Sequence, residues 1–156
     1  MSSSITSRIQ DFTTTRDWKV VNANPSGLPQ AAQSALFTVS DMVEVKMIVG
    51  VVSQNIQNQA NNTKLVANPT GFADLDLCTV LDIDNDQAGE FYYTNGAANA
   101  LGNDATGAGF SKSGEDFYVI AGGTIDLSCA AASTGNISWW CVWRELASGA
   151  TVTSAV

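Results

Sequence analysis

Along Val43-Glu44-Val45-Lys46-Met47-Ile48-Val49-Gly50-Val51 every odd position is apolar, while Glu44, Lys46 and Gly50 fall on even ones. This period of two predicts a strand with one face buried. The same reading extends over most of the chain. Strands are predicted at Ala35–Val39, Val43–Val52, Thr63–Ala67, Leu75–Leu81, Glu90–Thr94, Asp116–Ala121, Thr124–Cys129 and Ile137–Leu146. Turn clusters separate them, among them Asn68-Pro69-Thr70-Gly71, Asp84-Asn85-Asp86, Asn95-Gly96 and Ser133-Thr134-Gly135-Asn136. Gln54 to Asn61 reads as an irregular strand or a loop, and Asn95 to Gly114 as a long loop with at most a short strand. Helix is confined to a single turn at Gln30–Ala35. Short strands at this spacing predict an all-β, single-domain β-sandwich or jelly roll.

The ends read differently. Residues 1–33 begin with Ser and Thr and pass into the loop chemistry of Asn22-Ala23-Asn24-Pro25-Ser26-Gly27-Leu28-Pro29, with only Phe12, Trp18, Val20 and Val21 as anchors. They are expected to form an extended N-terminal arm. The sandwich is expected over residues 34–147 and a polar tail over 148–156.

The chain has 156 residues, enough to bury roughly 70% of the surface of its unfolded form without staples. Charged residues are only 14% of it, against about a quarter in an ordinary domain. A surface of Asn, Thr, Ser, Gln, Gly and Ala suits wide contacts with other proteins, because such small groups can hydrogen-bond across a contact without the large desolvation cost of charges. The net charge of −8 is uneven: residues 1–19 carry +1 and the remainder −9. An acidic body repels phosphate, which argues against nucleic acid as a partner. No apolar run reaches the ~18 residues of a membrane span, and no signal peptide is visible at the start.

Chemistry is sparse. The chain has no histidine, which removes Ser-His-Asp and Cys-His centres and most zinc and iron sites. Cys78, Cys129 and Cys141 lie on apolar stretches without a Cys-x-x-Cys pair and read as buried free thiols, a Cys129–Cys141 bridge being the alternative. Asp74 with Asp76, and Asp82 with Asp84, place carboxylates on one side of a strand, as glycosidase chemistry requires but as a solvated strand face also shows. Asp82-Ile83-Asp84-Asn85-Asp86 opens like a calcium loop. It then has Gln87 where the sharp turn needs Gly and Tyr93 where a bidentate Glu is needed. Gly107-Ala108-Gly109 and Gly122-Gly123 lack the Lys-Ser/Thr and helix of a phosphate loop. No catalytic residue, metal or cofactor is expected.

In Ile137-Ser138-Trp139-Trp140-Cys141-Val142-Trp143-Arg144, Ile137, Trp139, Cys141 and Trp143 share one strand face, and Trp140 and Val142 share the other with Arg144. Trp140 is therefore expected under a loop or arm, or in a subunit contact, where Trp is enriched.

The tract Val49-Gly-Val-Val-Ser-Gln-Asn-Ile-Gln-Asn-Gln59, with Thr63-Lys-Leu-Val-Ala67, Asn68-Pro-Thr-Gly71 and Asp74-Leu-Asp-Leu-Cys-Thr-Val-Leu-Asp-Ile83, resembles small virion proteins of tailed bacteriophages. So does the run from Ala121-Gly-Gly-Thr-Ile-Asp-Leu127 through Thr134-Gly-Asn-Ile-Ser-Trp-Trp140. The likeness spans residues 43–146 and is one of pattern and composition. It implies a capsid decoration, or cement, protein: β-rich, commonly trimeric, made in the bacterial cytoplasm and seated on the outer surface of the expanded head, where it bridges major capsid proteins. Under that resemblance Arg8, Phe12, Arg16, Trp18, Lys19 and Trp140 become capsid or subunit contacts. The alternative is a receptor-binding domain of a tail fibre, tip or baseplate, with sugar stacked on Trp140 or Trp143.

Overall fold

The computed structural model describes residues 17–24, 27–94 and 118–156, and residues 101–104 by their backbone. In chain order the strands are β1 (Lys19–Ala23), β2 (Gln33–Val39), β3 (Val43–Gln54), β4 (Asn62–Pro69), β5 (Leu75–Asp76) and β6 (Leu81–Asp82). They are followed by β7 (Phe91–Thr94), β8 (Leu101–Asp104), β9 (Tyr118–Ile120), β10 (Gly123–Cys129), β11 (Asn136–Glu145) and β12 (Val152–Ser154). One sheet runs β1-β11-β3-β7-β8 with β9 also on β3. The other runs β12-β2-β10-β4-β5 with β6 also on β4. All pairings are antiparallel.

The order is that of a jelly roll. β1 pairs with β11, β2 with β10, β3 with β7, and β4 with the β5–β6 edge, so the chain folds as one two-stranded ribbon wound round itself. Closing contacts then join β11 to β3 and β10 to β4. The expected all-β sandwich is therefore present, and no helix occurs among the described residues.

The two sheets bury their facing side chains between them, and the alternation is readable strand by strand. On β11, Ile137, Trp139, Cys141 and Trp143 point inward and are buried. On β10, Ile125, Leu127 and Cys129 do the same. Trp139 is the largest fully buried side chain and stacks on Tyr92, ring centroids 6.2 Å apart. The residue between them is Gly50, which the register sets opposite both Trp139 and Tyr92. A Cβ at that position would fall 2.7–2.9 Å from three carbons of the Trp139 ring, so glycine opens the space in which the indole crosses β3. Gly123 is needed for a different reason: its φ is +146°, and a Cβ there would meet the Asn68 carbonyl oxygen at 2.2 Å.

Several sequence expectations are corrected. Lys19–Ala23, assigned to an arm, is an edge strand hydrogen-bonded to β11, and the sandwich therefore starts before residue 34. Val152–Ser154, assigned to a tail, pairs with β2. The single helical turn at Gln30–Ala35 is instead a bend passing into β2. The strand expected over Leu75–Leu81 is broken in two, because Leu77 and Cys78 turn inward: the Leu77 amide donates to the Leu65 carbonyl at 2.9 Å, and the Leu65 amide donates to Cys78 Sγ at 3.2 Å. Two expectations stand: residues 55–61, beyond β3, are loop, and the tract 95–114, expected to hold at most a short strand, contains β8, its other residues lying outside those described.

Candidate functional site

With Trp139 and Trp143 inside, the alternation of β11 sends Ser138, Trp140, Val142 and Arg144 to the outer surface of the first sheet, each half-buried. Register then identifies their neighbours. Trp140 lies between Asn22 of β1 and Val49 of β3, and Val142 between Val20 and Met47. Val51 lies opposite Ser138, and beyond β3 come Phe91 opposite Val51 and Tyr93 opposite Val49. The middle of an outward-facing sheet is thus apolar across four strands. Val20, at its edge, is 65% exposed. A solvated sandwich face ordinarily carries polar side chains, and this one departs from that pattern.

A charged cluster marks one end of the face. The Trp18 ring lies beneath the Arg144 guanidinium, 4.6 Å from Cζ to centroid, and beneath Lys46 Nζ at 5.3 Å. Arg144 Nε donates to Glu44 Oε2 at 2.6 Å, across the β11–β3 ladder, and the Glu44 side chain is only 11% exposed. Lys19 Nζ stands 5.0 Å from the Trp143 ring and 3.8 Å from Glu145 Oε1.

Of the residues singled out from sequence, Trp140 stands on the outer face of β11 and Trp18 immediately precedes β1, whereas Lys19 of β1 is registered with the inward-facing Trp143 and lies on the other side of this sheet. Arg8, Phe12 and Arg16 lie outside the described residues. Trp143 is buried at 5% exposure and has no face for a sugar, which removes it from the stacking platform. Sequence reasoning missed Lys46, Glu44 and Arg144 as a cluster around Trp18. Their only signal was the mixed outer face of the last long strand, since the partners lie about a hundred residues apart in sequence.

The acidic motifs are occupied structurally. Asp82 Oδ1 accepts the amides of Asn61 at 2.8 Å and Asp84 at 3.2 Å, so it ties a turn. Asp86 Oδ2 accepts the Tyr92 hydroxyl at 2.5 Å. Burial lifts the Asp86 carboxyl above its ordinary range, the Tyr92 hydrogen bond opposing this, and burial also raises the Tyr92 phenol. Asp76 pairs with Lys64 at 2.7 Å, and Asp74 accepts Gln33 Nε2 at 2.9 Å. The same Gln33 amide donates to the buried Asp126, which sequence reading did not single out. Among the described residues no group of three or more Cys, Asp or Glu is arranged to hold a metal ion.

All three cysteines are free and buried. Burial raises each thiol, Cys141 to about 12, so at neutral pH they are packing groups rather than nucleophiles. An apolar cavity of about 210 Å³ beside Leu28, Leu36 and Leu127 is lined by no titratable side chain. No helix of the described residues is long and apolar enough to cross a membrane. In comparisons with known proteins the chain matches no family model, no curated protein and no solved structure.

Proposed function

We propose that this chain is a structural virion protein of a tailed phage: a head decoration, or cement, protein that binds the outer capsid surface and stabilises the lattice of major capsid protein. The observation that carries the reading is the apolar outer face of the β1-β11-β3 sheet, with Trp140 at its centre and the Trp18–Arg144–Lys46 stack at its end. Trp, Met and Arg are the side chains enriched in protein interfaces, and a closed sandwich presents them on a rigid backbone at small entropic cost. The resemblance of residues 43–146 to small phage virion proteins supplies the setting. The mechanism is multivalent clamping. Each copy, as part of a homo-oligomer, most simply a trimer, covers a seam between capsid subunits, and binding that favours the expanded lattice stabilises it by mass action. The role requires no enzyme chemistry, cofactor, nucleic acid or membrane.

Imaging intact particles at side-chain resolution tests this directly. Cement is expected in hundreds of copies on the outer shell, with Trp140 covered. A handful of copies at the tail would sink the proposal. Trp140→Ser is expected to abolish head binding while leaving the fold intact, because the ring is outside the core. Removal of residues 1–16, which spares β1, tests the remaining contact assignments Arg8, Phe12 and Arg16, and unchanged head binding would refute them. The half-buried Trp140 also supports a second reading, a carbohydrate-binding tail domain. Glycan binding lost in Trp140→Ala would favour it over cement.

A further inference from the structure

On the opposite sheet, the β5–β6 edge combines three properties that protected sheet edges do not share. β5 and β6 pair only with β4 and end the strand order, so among the described residues no strand covers their far side. Three large apolar side chains stand exposed along this stretch: Phe72 at 78%, Leu75 at 62% and Val80 at 54%. Asp74, Asp76, Asp82 and Asp84 are exposed on the same stretch, against one cation, Lys64, which Asp76 already holds. Natural edges are shielded by charge, breaks or bulges. This edge has the charge and the break, yet keeps the apolar groups that shielding exists to avoid.

The presentation is fixed. The Phe72 amide donates to the Pro69 carbonyl at 3.2 Å, and the Thr70 amide to the Gly122 carbonyl at 2.9 Å, which ties the turn carrying Phe72 to the start of β10. Beyond it opens a shallow cleft of about 490 Å³ lined by Asp74, Leu75, Asp76, Cys78 and Thr79. Two carboxylates and an apolar wall suit the ammonium and stem of a lysine, or a guanidinium.

We infer that this edge docks a basic, extended segment of a different protein, which adds as a strand beside β5 and β6, sets apolar side chains on Phe72, Leu75 and Val80, and places a Lys or Arg between Asp74 and Asp76. Charge identifies the occupant. The local surplus of four carboxylates over one ammonium calls for a cationic strand, and the chain's net charge of −8 sets a second copy against it. The inference is independent of the aromatic face, which lies on the other sheet.

The test titrates the isotopically labelled full chain with a synthetic peptide of alternating Lys and Val, and separately with its Glu and Val counterpart, following backbone amides. The Lys peptide is expected to shift resonances of residues 62–82 and to weaken with added salt, and the Glu peptide to leave them unmoved. Asp74→Asn with Asp76→Asn is expected to weaken binding about five-fold or more, as two rim charges would. Phe72→Ser with Leu75→Ser is expected to do the same, at positions exposed enough to leave the fold unchanged. Equal response to both peptides, shifts confined to another surface, or insensitivity to the Asn pair would overturn the inference. So would concentration-dependent self-association of the full chain that the Ser pair abolishes.

Discussion

Gly50→Ala probes whether the core is held by the crossing of Trp139 over β3. The new Cβ would sit 2.7, 2.8 and 2.9 Å from three ring carbons, where carbon pairs prefer about 3.5–4.0 Å. The ring must therefore retreat by roughly 1 Å, and it cannot do so freely, because Trp139 is fully buried and Tyr92 is stacked against it. Overpacking of this kind costs about 1–3 kcal/mol. The lower chain entropy of alanine returns about 0.5–1 kcal/mol, leaving a net loss of about 0.5–2 kcal/mol. For a domain of this size that lowers the melting temperature by roughly 1–8 °C. Thermal and urea unfolding followed by tryptophan fluorescence measure it. Trp139→Phe supplies the control: Trp139 Nε1 has no hydrogen-bond partner among the described residues, so the change removes ring volume without breaking a bond seen there. In the double variant the clash is relieved, and the two changes are expected to couple favourably by about 1 kcal/mol or more. If Gly50→Ala is as stable as the parent, or if the two losses simply add, the account of this core is wrong.

Three further outcomes are expected. Because burial raises the Asp86 carboxyl in the folded state, its protonation favours the native form, and the stability it contributes at low pH is lost as pH rises from about 4 through the raised value. Asp86→Asn, which keeps an acceptor for Tyr92, is expected to gain stability relative to the parent across that window; a difference in urea midpoints that does not change with pH refutes this. Arg144→Met leaves Glu44 unpaired and is expected to cost about 1–3 kcal/mol, less than a fully buried pair because Arg144 is partly solvated. Adding Glu44→Gln should recover part of that loss, and failure to recover any would mean the stack on Trp18 carries the effect. Finally, a thiol reagent at neutral pH is expected to label none of Cys78, Cys129 and Cys141 in the folded protein and all three in denaturant, so rapid labelling of native protein would contradict their burial.

Strand positions written in apolar side chains were legible, and β3, β10 and β11 lie close to where Val43–Val52, Thr124–Cys129 and Ile137–Leu146 predicted them. A bulge between Val45 and Met47, however, turns Ile48 and Val52 inward and Met47, Val49 and Val51 outward, so the buried odd-numbered face expected of β3 holds only at Val43 and Val45. Strands that owe their state to a neighbour were not legible. Lys19-Val20-Val21 is too short beside Asn22 and Asn24 to show a period, and becomes β1 because β11 offers it a ladder. Val152-Thr153-Ser154 becomes β12 for the same reason, through β2. The break between β5 and β6 depends on a contact between Cys78 and Leu65 that no local pattern encodes. At the candidate face, Trp140 was visible because an apolar side chain on the polar side of a strand violates the alternation. The grouping of Trp18 with Lys46 and Arg144 was invisible, since it follows from ribbon winding.

That winding has a consequence for biosynthesis. β1, β2, β3 and β4 form no ladder with one another. They are joined only through β10 and β11, which the ribosome makes after residue 122. Between completion of β4 and arrival of β10 some fifty residues must be added, roughly 3–10 s at ordinary elongation rates. During that interval β4 can pair with β5 and β6 and β3 with β7, but β1 and β2 have no partner strand and the two half-sheets have no strand to complete them. The sandwich is thus completed late, when the last fifth of the polypeptide supplies the central strands that join the earlier ones, and a chain ending before Gly123 would lack the ladders that hold β1 and β2.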